Sequence, residues 1–289
     1  MFALQPAYAD WRKDMGVFRI GIATKDGEPF KEGALEGFRA QASRALAMPV
    51  EIFQARDASS LIDAAASSRI EYAILSSLGF VTLDLTCDCA LPIAAPSSAE
   101  GATATRSVLI VDAKEVASLQ DLAGKRLAIG PESSLTGSIL PTAQFSLDGT
   151  RLRNADFELV ELDSVEQAVE ALANGEVAGF FGWDQVDPDS DKVFETSLSK
   201  KLERYPELST NVVWASEPIR YGPHIINKTV PSEAATALRS MLESLHQTSP
   251  LVYQTISPDL SGGLKSVTAK DYVSAYSLIR SIARDAAEN

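Results

Sequence analysis

Histidine and cysteine are scarce in this sequence, which contains two of each in 289 residues. His224 and His246 are not spaced as a pair of metal ligands. Cys87 and Cys89 are separated by one residue, which is not the spacing of a redox-active C-x-x-C motif. Because a disulfide across one residue would be strained, we expect two unpaired thiols. The sequence therefore predicts no metal site, no cofactor and no disulfide framework.

Basic residues are also in short supply. The chain has 26 Lys and Arg against 39 Asp and Glu, which gives a formal net charge of -13. Nucleic-acid binding requires clustered Lys and Arg side chains that contact phosphates, so we expect no nucleic-acid partner. No stretch approaches the ~20 consecutive apolar residues that a transmembrane helix needs.

Familiar catalytic motifs are missing as well. The sequence has no G-x-S-x-G elbow, no P-loop and no G-x-G-x-x-G. The acidic segment 187–191 imitates the start of a calcium loop, but Lys192 stands where the loop needs Gly and Leu198 where it needs Glu. We interpret this segment as a solvated acidic loop. These absences weaken the case for an enzyme.

Strand and helix signals alternate along the chain, which predicts an α/β fold. The first run places helices after Phe30 and Asp57, and the pattern restarts at Ser118 with helices from Thr136 and Ser164. Further helices are predicted over residues 232–246 and 269–287. The predicted strands cover residues 17–23, 50–54, 72–75, 107–111, 127–129, 157–162, 177–181 and 211–215.

This restart predicts two α/β lobes. Residues 1–16 form an N-terminal arm or the remnant of a signal peptide, residues 17–110 and 216–289 form lobe 1, and residues 111–215 form lobe 2. Two extended segments, 109–111 and 212–216, are predicted to carry the chain between the lobes as a two-strand hinge. Ligands prefer clefts between domains, so the cleft is the expected binding site.

Two strand-to-helix turns are rich in hydroxyl groups. The first spans residues 130–137, where Ser134 and Thr136 could add hydroxyl donors to the unpaired N–H groups of a helix start. The second spans residues 76–80 and contains Ser76, Ser77 and Phe80. Each turn is a candidate anion site, but ordinary helix capping explains the same residues, with Phe80 in the core.

The N-terminus carries a candidate processing site. Ala7-Tyr8-Ala9 fits the small-x-small rule of signal peptidase, but neither a basic region nor a full apolar region precedes it. An ordinary N-terminal arm remains the alternative.

Several segments together resemble the phosphate/phosphonate-type solute-binding proteins of ABC importers, which have the type II periplasmic-binding-protein fold with mixed sheets. The resemblance extends over residues 17–280. It rests on the strand 17–23 and on the segments 72–77, 105–111, 118–126, 130–137, 168–177 and 216–219.

This resemblance implies a periplasmic protein without catalytic activity, whose signal peptide is cleaved after Ala9. It would be a monomer that closes like a clamp on a small, phosphonate-like oxyanion and then docks on a membrane ABC permease. By position, the implied ligand-binding residues are Ser134 and Thr136 in lobe 2 with Ser76 and Ser77 in lobe 1. Ser133 and Phe80 are further candidate ligand-binding residues.

The sequence also departs from this family. Leu135 replaces a hydroxyl residue of the loop, and Val165 stands where phosphonate binders tend to have His. A larger or less charged ligand, held partly by Phe30, Phe80 and Trp183, is therefore an alternative, as is a core role for each aromatic residue. Asp184, beside Trp183, is a candidate partner for a ligand amine.

Two other functional classes stay open. An enzyme on the same two-lobed fold would need a general base, for which Asp184 or Asp163 is the candidate. A ligand-sensing domain for a membrane receptor would have the same sequence features.

Overall fold

The computed structural model describes residues 10–24, 28–199 and 201–288. These residues form two compact units. Unit 1 comprises the chain up to Pro96 together with Gly222–Asp271, and unit 2 comprises Ser97–Tyr221 together with the chain from Tyr272 onwards. Each unit contains its own mixed sheet, which confirms the predicted two-lobed α/β class.

The strands and helices alternate through most of the chain. The strands are β1 (Phe18–Ala23), β2 (Val50–Ala55), β3 (Tyr72–Ile74), β4 (Ala90–Pro96), β5 (Ala104–Asp112), β6 (Arg126–Ile129), β7 (Ser146–Leu147), β8 (Thr150–Arg151), β9 (Glu158–Glu161), β10 (Gly179–Asp187), β11 (Lys192–Thr196), β12 (Thr210–Ala215), β13 (Ile219–Arg220), β14 (His224–Asn227) and β15 (Leu264–Ser266). The helices are α1 (Trp11–Met15), α2 (Glu36–Leu46), α3 (Ala58–Ala66), α4 (Ser77–Cys87), α5 (Leu140–Gln144), α6 (Val165–Ala173), α7 (Ser232–Thr248), α8 (Pro250–Ile256) and α9 (Val273–Glu288).

The sheet of unit 1 has the strand order β15-β4-β14-β3-β1-β2. β1 runs parallel to β2 and β3, whereas β14 runs antiparallel to β3 and β4. Its main core packs β1 against α2 and α7 through buried side chains that include Phe18, Ile20, Phe38, Leu238 and Leu242. Each such side chain contributes about 1.5–3 kcal/mol when it leaves water.

The main sheet of unit 2 has the strand order β12-β5-β10-β6-β9, with β11 beside β10 and β13 beside β5. β6 is parallel to β9 and β10, and β5 is antiparallel to β10 and β12. Successive residues of β5 enter different cores, because side chains alternate across a strand. Val108 and Ile110 belong to one core, and Leu109 and Val111 to the other.

The chain passes between the units at other places than predicted. The predicted boundaries lie after residues 110 and 215, whereas the structure divides after Pro96 and after Tyr221. The segments expected to form the hinge instead pair inside unit 2, where β12 lies antiparallel to β5 with Val212 opposite Ile110. β5 already begins at Ala104, so the chain passes between the two units before β5 and after β12.

The C-terminal helix also belongs to a different unit than expected. Lobe 1 was predicted to extend to residue 289, but α9 is part of unit 2. Just before this helix, the hydroxyl of Tyr272 donates a hydrogen bond to the Tyr221 carbonyl oxygen at 3.0 Å. This bond joins the start of the C-terminal segment to unit 2.

Cys87 and Cys89 form a disulfide, so the expectation of two unpaired thiols is wrong. Asp88 between them ends α4 in a left-handed conformation with φ of 47°. This turn leaves the two Cα atoms 5.1 Å apart, which lies within the usual range for a disulfide.

The candidate cleavage site Ala7-Tyr8-Ala9 lies outside the described residues. The following segment folds as α1 on unit 1, where Arg12 Nε donates to the Leu46 carbonyl oxygen at 2.8 Å and Arg12 Nη2 pairs with Glu233 at 2.8 Å. None of the helices in the described ranges is long and apolar enough to cross a membrane.

Candidate functional site

The loop that follows β6 folds tightly onto itself before a helix begins. Gly130 N–H donates to the Gly137 carbonyl oxygen at 2.9 Å, and Gly137 N–H donates to Ser134 Oγ at 3.1 Å. A Cβ at Gly137 would lie 2.8 Å from Ser134 Oγ and 3.1 Å from Gly130 Cα, so this close approach requires glycine. A π-helical turn over Leu135–Ile139 then leads directly into α5.

A second helix begins beside this loop, after β9. Ser164 caps α6 by accepting a hydrogen bond from Gln167 N–H at 3.2 Å, and Gln167 Oε1 accepts one from Asp163 N–H at 3.0 Å. β6 and β9 are parallel neighbours with Ile129 opposite Glu161. Both turns therefore lie at the same carboxyl edge of the sheet, where α/β proteins place their ligands.

These two turns and β10 enclose a pocket of about 200 Å³ in unit 2. Phe181 and Trp183 line it from β10, which continues past the end of β6. The other lining residues come from the ends of β6, the two turns and the first turn of α6: Ala128, Ile129, Gly130, Pro131, Ser134, Thr136, Gly137, Leu162, Asp163, Ser164, Val165 and Ala168.

The pocket supplies many hydrogen-bond donors and little charge. Two helix starts present N–H groups and partial positive charge, and Ser134, Thr136 and Ser164 add hydroxyl groups. Among the described residues that line the pocket, none is Lys or Arg, and Asp163 is the charged side chain. This arrangement suits an oxyanion held by neutral donors, with a carboxylate at its edge.

The structure brings three of the predicted site residues into this pocket: Ser134, Thr136 and Trp183. Ser133 is exposed and does not line it. Of the two positions where the sequence departs from the resembling family, Val165 lines the pocket and Leu135 does not.

Asp184 lies on the opposite side of β10 from Trp183, because neighbouring residues of a strand face opposite ways. It is 5% exposed, and its carboxylate accepts a hydrogen bond from Arg106 Nε at 3.3 Å. Burial raises the pKa of the Asp184 carboxyl, and the Arg106 guanidinium opposes part of this shift. Asp184 is therefore engaged in an ion pair outside the pocket.

The acidic loop after β10 is held by two arginines, of which Arg106 also pairs with Asp184. Arg106 Nη1 pairs with Asp191 at 2.6 Å, and Arg220 Nη2 pairs with Asp189 at 2.9 Å. Within the described part of the chain, no group of three or more His, Cys, Asp or Glu is arranged to hold a metal ion.

The four predicted site residues of unit 1 have structural contacts in that unit. Ser76 caps α4 by accepting a hydrogen bond from Gly79 N–H at 3.0 Å, and Ser77 is buried. Phe80 is 0% exposed, and Phe30 packs against the main core while its N–H donates to Gln54 Oε1 at 2.9 Å. These contacts agree with the alternatives of helix capping and core packing.

Two polar residues that line the pocket were not among the predicted ligand-binding residues. Asp163 entered only the enzyme alternative and Ser164 only the description of a helix cap, although both precede α6. The available signal was the adjacency of the strands: if residues 127–129 and 157–162 are paired in parallel, the turns after them share one edge.

The comparison with known protein families gives one match. The sequence profile described as "ABC transporter, phosphonate, periplasmic substrate-binding protein" matches residues 32–275. Among curated proteins, no sequence matches the chain.

Three solved structures illustrate the similarity of this fold to known proteins at low sequence identity. A Xanthomonas citri protein bound to ATP has a TM-score of 0.60 and 15% identity, covering 93% of this chain and 98% of its own. The binding component of an ABC phosphonate transporter from Pseudomonas aeruginosa has a TM-score of 0.53 and 17% identity, covering 94% of this chain and 89% of its own. PhnD1 from Prochlorococcus marinus, in complex with methylphosphonate, has a TM-score of 0.55 and 13% identity, covering 93% of this chain and 99% of its own.

Proposed function

The chain belongs to the family of periplasmic substrate-binding proteins of ABC phosphonate transporters, and from this premise we propose that the pocket of unit 2 holds the oxyanionic head of its ligand. The protein is the extracytoplasmic substrate-binding component of an ABC transporter of the phosphonate type. It works with an ABC permease and binds a small molecule. The residues that hold this molecule are what we propose here.

The observation that carries the proposal is the convergence of two helix starts on one pocket. Ser134 and Ser164 each accept a hydrogen bond from a backbone N–H of their own helix. Since the oxygen is used as an acceptor, the hydroxyl proton of each serine is available to donate to a ligand. With Thr136, three hydroxyl donors surround the space in which an oxyanion would lie.

The remaining walls indicate where the organic part of the ligand lies. Trp183, Phe181, Val165 and Ala168 line the pocket with apolar surface. We place the substituent of the phosphonate or sulfonate against these side chains, since apolar contact stabilises binding by roughly 25 cal/mol per Å². Val165 removes one donor that the family tends to supply, and Ser164 beside it replaces that donor with a hydroxyl.

The proposal extends to the protein as a whole. We propose that it binds its ligand without chemical turnover, acts as a monomer and is processed after Ala9. The family supports the absence of turnover, because it is described as a substrate-binding component of a transporter. Incubation with a bound ligand, followed by phosphorus NMR, would reveal turnover if this part of the proposal is wrong.

Calorimetric titration with methylphosphonate and with methanesulfonate tests the site itself. Replacing Thr136 by Val removes one hydroxyl donor at nearly constant volume. A hydrogen bond to a charged group contributes about 1.5–3 kcal/mol, so we expect at least ~10-fold weaker binding of whichever oxyanion binds.

Ser133→Ala is the matched control, because it removes a hydroxyl from the same loop outside the pocket. It should bind as the wild type does. If neither oxyanion binds the wild type, or if Thr136→Val binds as tightly as Ser133→Ala, the proposed site is wrong.

A further inference from the structure

The disulfide between Cys87 and Cys89 closes a very short loop at the end of α4. Both cysteines are partly exposed, and Asp88 between them is exposed. A disulfide stabilises a fold mainly by closing a loop of the unfolded chain, and so short a loop changes the folding equilibrium constant by only about 15-fold. A loop of about 100 residues would change it on the order of a thousandfold. The fold therefore depends little on this bond.

The turn that contains the disulfide is held by contacts that remain when the bond is broken. Asp88 N–H donates to the Asp84 carbonyl oxygen at 2.7 Å, which ends α4. Lys228 N–H, just after β14, donates to the Cys89 carbonyl oxygen at 2.8 Å. The Lys228 ammonium also pairs with the Asp88 carboxylate. The backbone on both sides of the two sulfur atoms is thus fixed by other bonds.

A reduced Cys87 would find a hydrogen-bond acceptor already in place. Its Sγ lies 3.3 Å from the Leu83 carbonyl oxygen, one turn earlier in α4. A thiol at this position can donate a weak hydrogen bond to that carbonyl. The second thiol, at Cys89, would be partly exposed to water. The reduced form therefore requires no rearrangement of the helix.

We propose that Cys87 and Cys89 are a reversible redox site, which exchanges with dithiols outside the cytoplasm while the protein stays folded. A thiolate of the dithiol attacks one sulfur of the pair, the bond between the two cysteines breaks, and a mixed disulfide forms. The second thiol of the reductant then attacks this mixed disulfide and closes the reductant's own disulfide. Two electrons and two protons pass from the dithiol to the cysteines, which become thiols.

This site is separate from the pocket of unit 2, so the proposal does not depend on the proposed function. Its alternative is a purely structural disulfide, which would be reduced only when the protein unfolds. Reduction in native buffer would then be slower than in urea by roughly the folding equilibrium constant, which exceeds about a thousandfold for most domains. The ratio of the two reduction rates separates these cases.

The experiment measures reduction by dithiothreitol in native buffer and in urea. Samples are quenched with a maleimide, and the added mass counts the thiols directly, because the chain has only two cysteines. The matched control is the variant with both Cys87→Ser and Cys89→Ser, which keeps the size of the side chains and cannot be reduced. Melting temperatures and circular dichroism spectra are recorded for both proteins with and without dithiothreitol.

We expect the folded protein to be reduced within ~100-fold of the rate in urea, since both cysteines are accessible. The reduced protein should keep its native spectrum, melt near the temperature of the serine variant and regain the disulfide when oxidised dithiothreitol is added. The variant should not respond to dithiothreitol. Slower reduction than this, loss of the native spectrum on reduction, failure to re-oxidise, or two free thiols in the protein before any reductant is added would overturn the proposal.

Discussion

Mild acid is expected to destabilise the protein through a single buried imidazole. His224 lies in β14 and is 1% exposed, and its Nδ1 is hydrogen-bonded to the hydroxyl of Tyr72 in the neighbouring strand β3. Burial lowers the pKa of His224 to about 3 from its ordinary value of 6.5. Burial also raises the pKa of Tyr72, so both partners stay neutral in the folded protein.

The sign of the effect follows from the two states of His224. Its folded pKa lies below its unfolded pKa, so the unfolded chain binds more protons than the folded protein between those two values. Stability is therefore lost as the pH falls below about 6.5, the ordinary pKa of histidine. One pKa unit corresponds to about 1.4 kcal/mol, so lowering the pH from 7 to 5 should cost about 2 kcal/mol through His224.

Urea denaturation at pH 7 and pH 5 measures this loss. Aspartate and glutamate side chains begin to titrate at the lower end of this range, but they are the same in the comparison protein, so their contribution cancels in the difference. The comparison protein is His224→Gln, which keeps a polar partner for Tyr72 and cannot be protonated. Whatever its stability at pH 7, its loss of stability between pH 7 and pH 5 should be smaller than that of the wild type by about 2 kcal/mol.

NMR of the imidazole rings gives a direct readout, because the chain has only two histidines. His246→Gln assigns the two sets of ring signals. The signals of His224 should remain those of the neutral ring at pH 5. A titration of His224 near pH 6.5, or an equal loss of stability in the wild type and His224→Gln, would refute the reasoning.

Two further substitutions test the local geometry. Gly137→Ala places a Cβ 2.8 Å from Ser134 Oγ and 3.1 Å from Gly130 Cα. We therefore expect at least ~10-fold weaker methylphosphonate binding and a lower melting temperature. Unchanged binding in calorimetry would contradict the role of this loop in the site. Replacing both Cys87 and Cys89 by Ser opens a loop of three residues, which should cost about 1–2 kcal/mol in urea denaturation. A loss above ~3 kcal/mol would mean that the disulfide does more than close this short loop.

The elements of the fold could be predicted wherever their signals are local. Ser164 is a good helix cap in any context, and the structure starts α6 at the next residue. The predicted strand 127–129 lies within β6, which begins one residue earlier at Arg126. In both cases the pattern of polar and apolar residues over a few positions determines the element.

The division into units could not be predicted in the same way. The segment that became β5 has the apolar composition of a buried strand whichever sheet it joins, and its pairing with β12 links residues about a hundred positions apart. A local pattern contains no information on that partner. The disulfide was missed for a related reason, since it depends on the left-handed conformation of Asp88, which no local pattern of polar and apolar residues predicts.

The candidate site likewise contains residues that a local pattern predicts and residues that depend on the pairing of distant strands. Ser134 and Thr136 were found because they lie in one loop, whereas Asp163 and Ser164 join them only through the pairing of β6 with β9. For Asp184, the alternation of side chains along a strand could have corrected the prediction from the sequence alone. Its neighbour Trp183 is a predicted site residue on the same strand, and adjacent strand residues face opposite sides of a sheet. Two neighbouring side chains of one regular strand cannot both line a pocket on one face. Once Trp183 is assigned to the pocket, Asp184 is excluded from it, and the carboxylate that lines the pocket is that of Asp163, in the turn before α6.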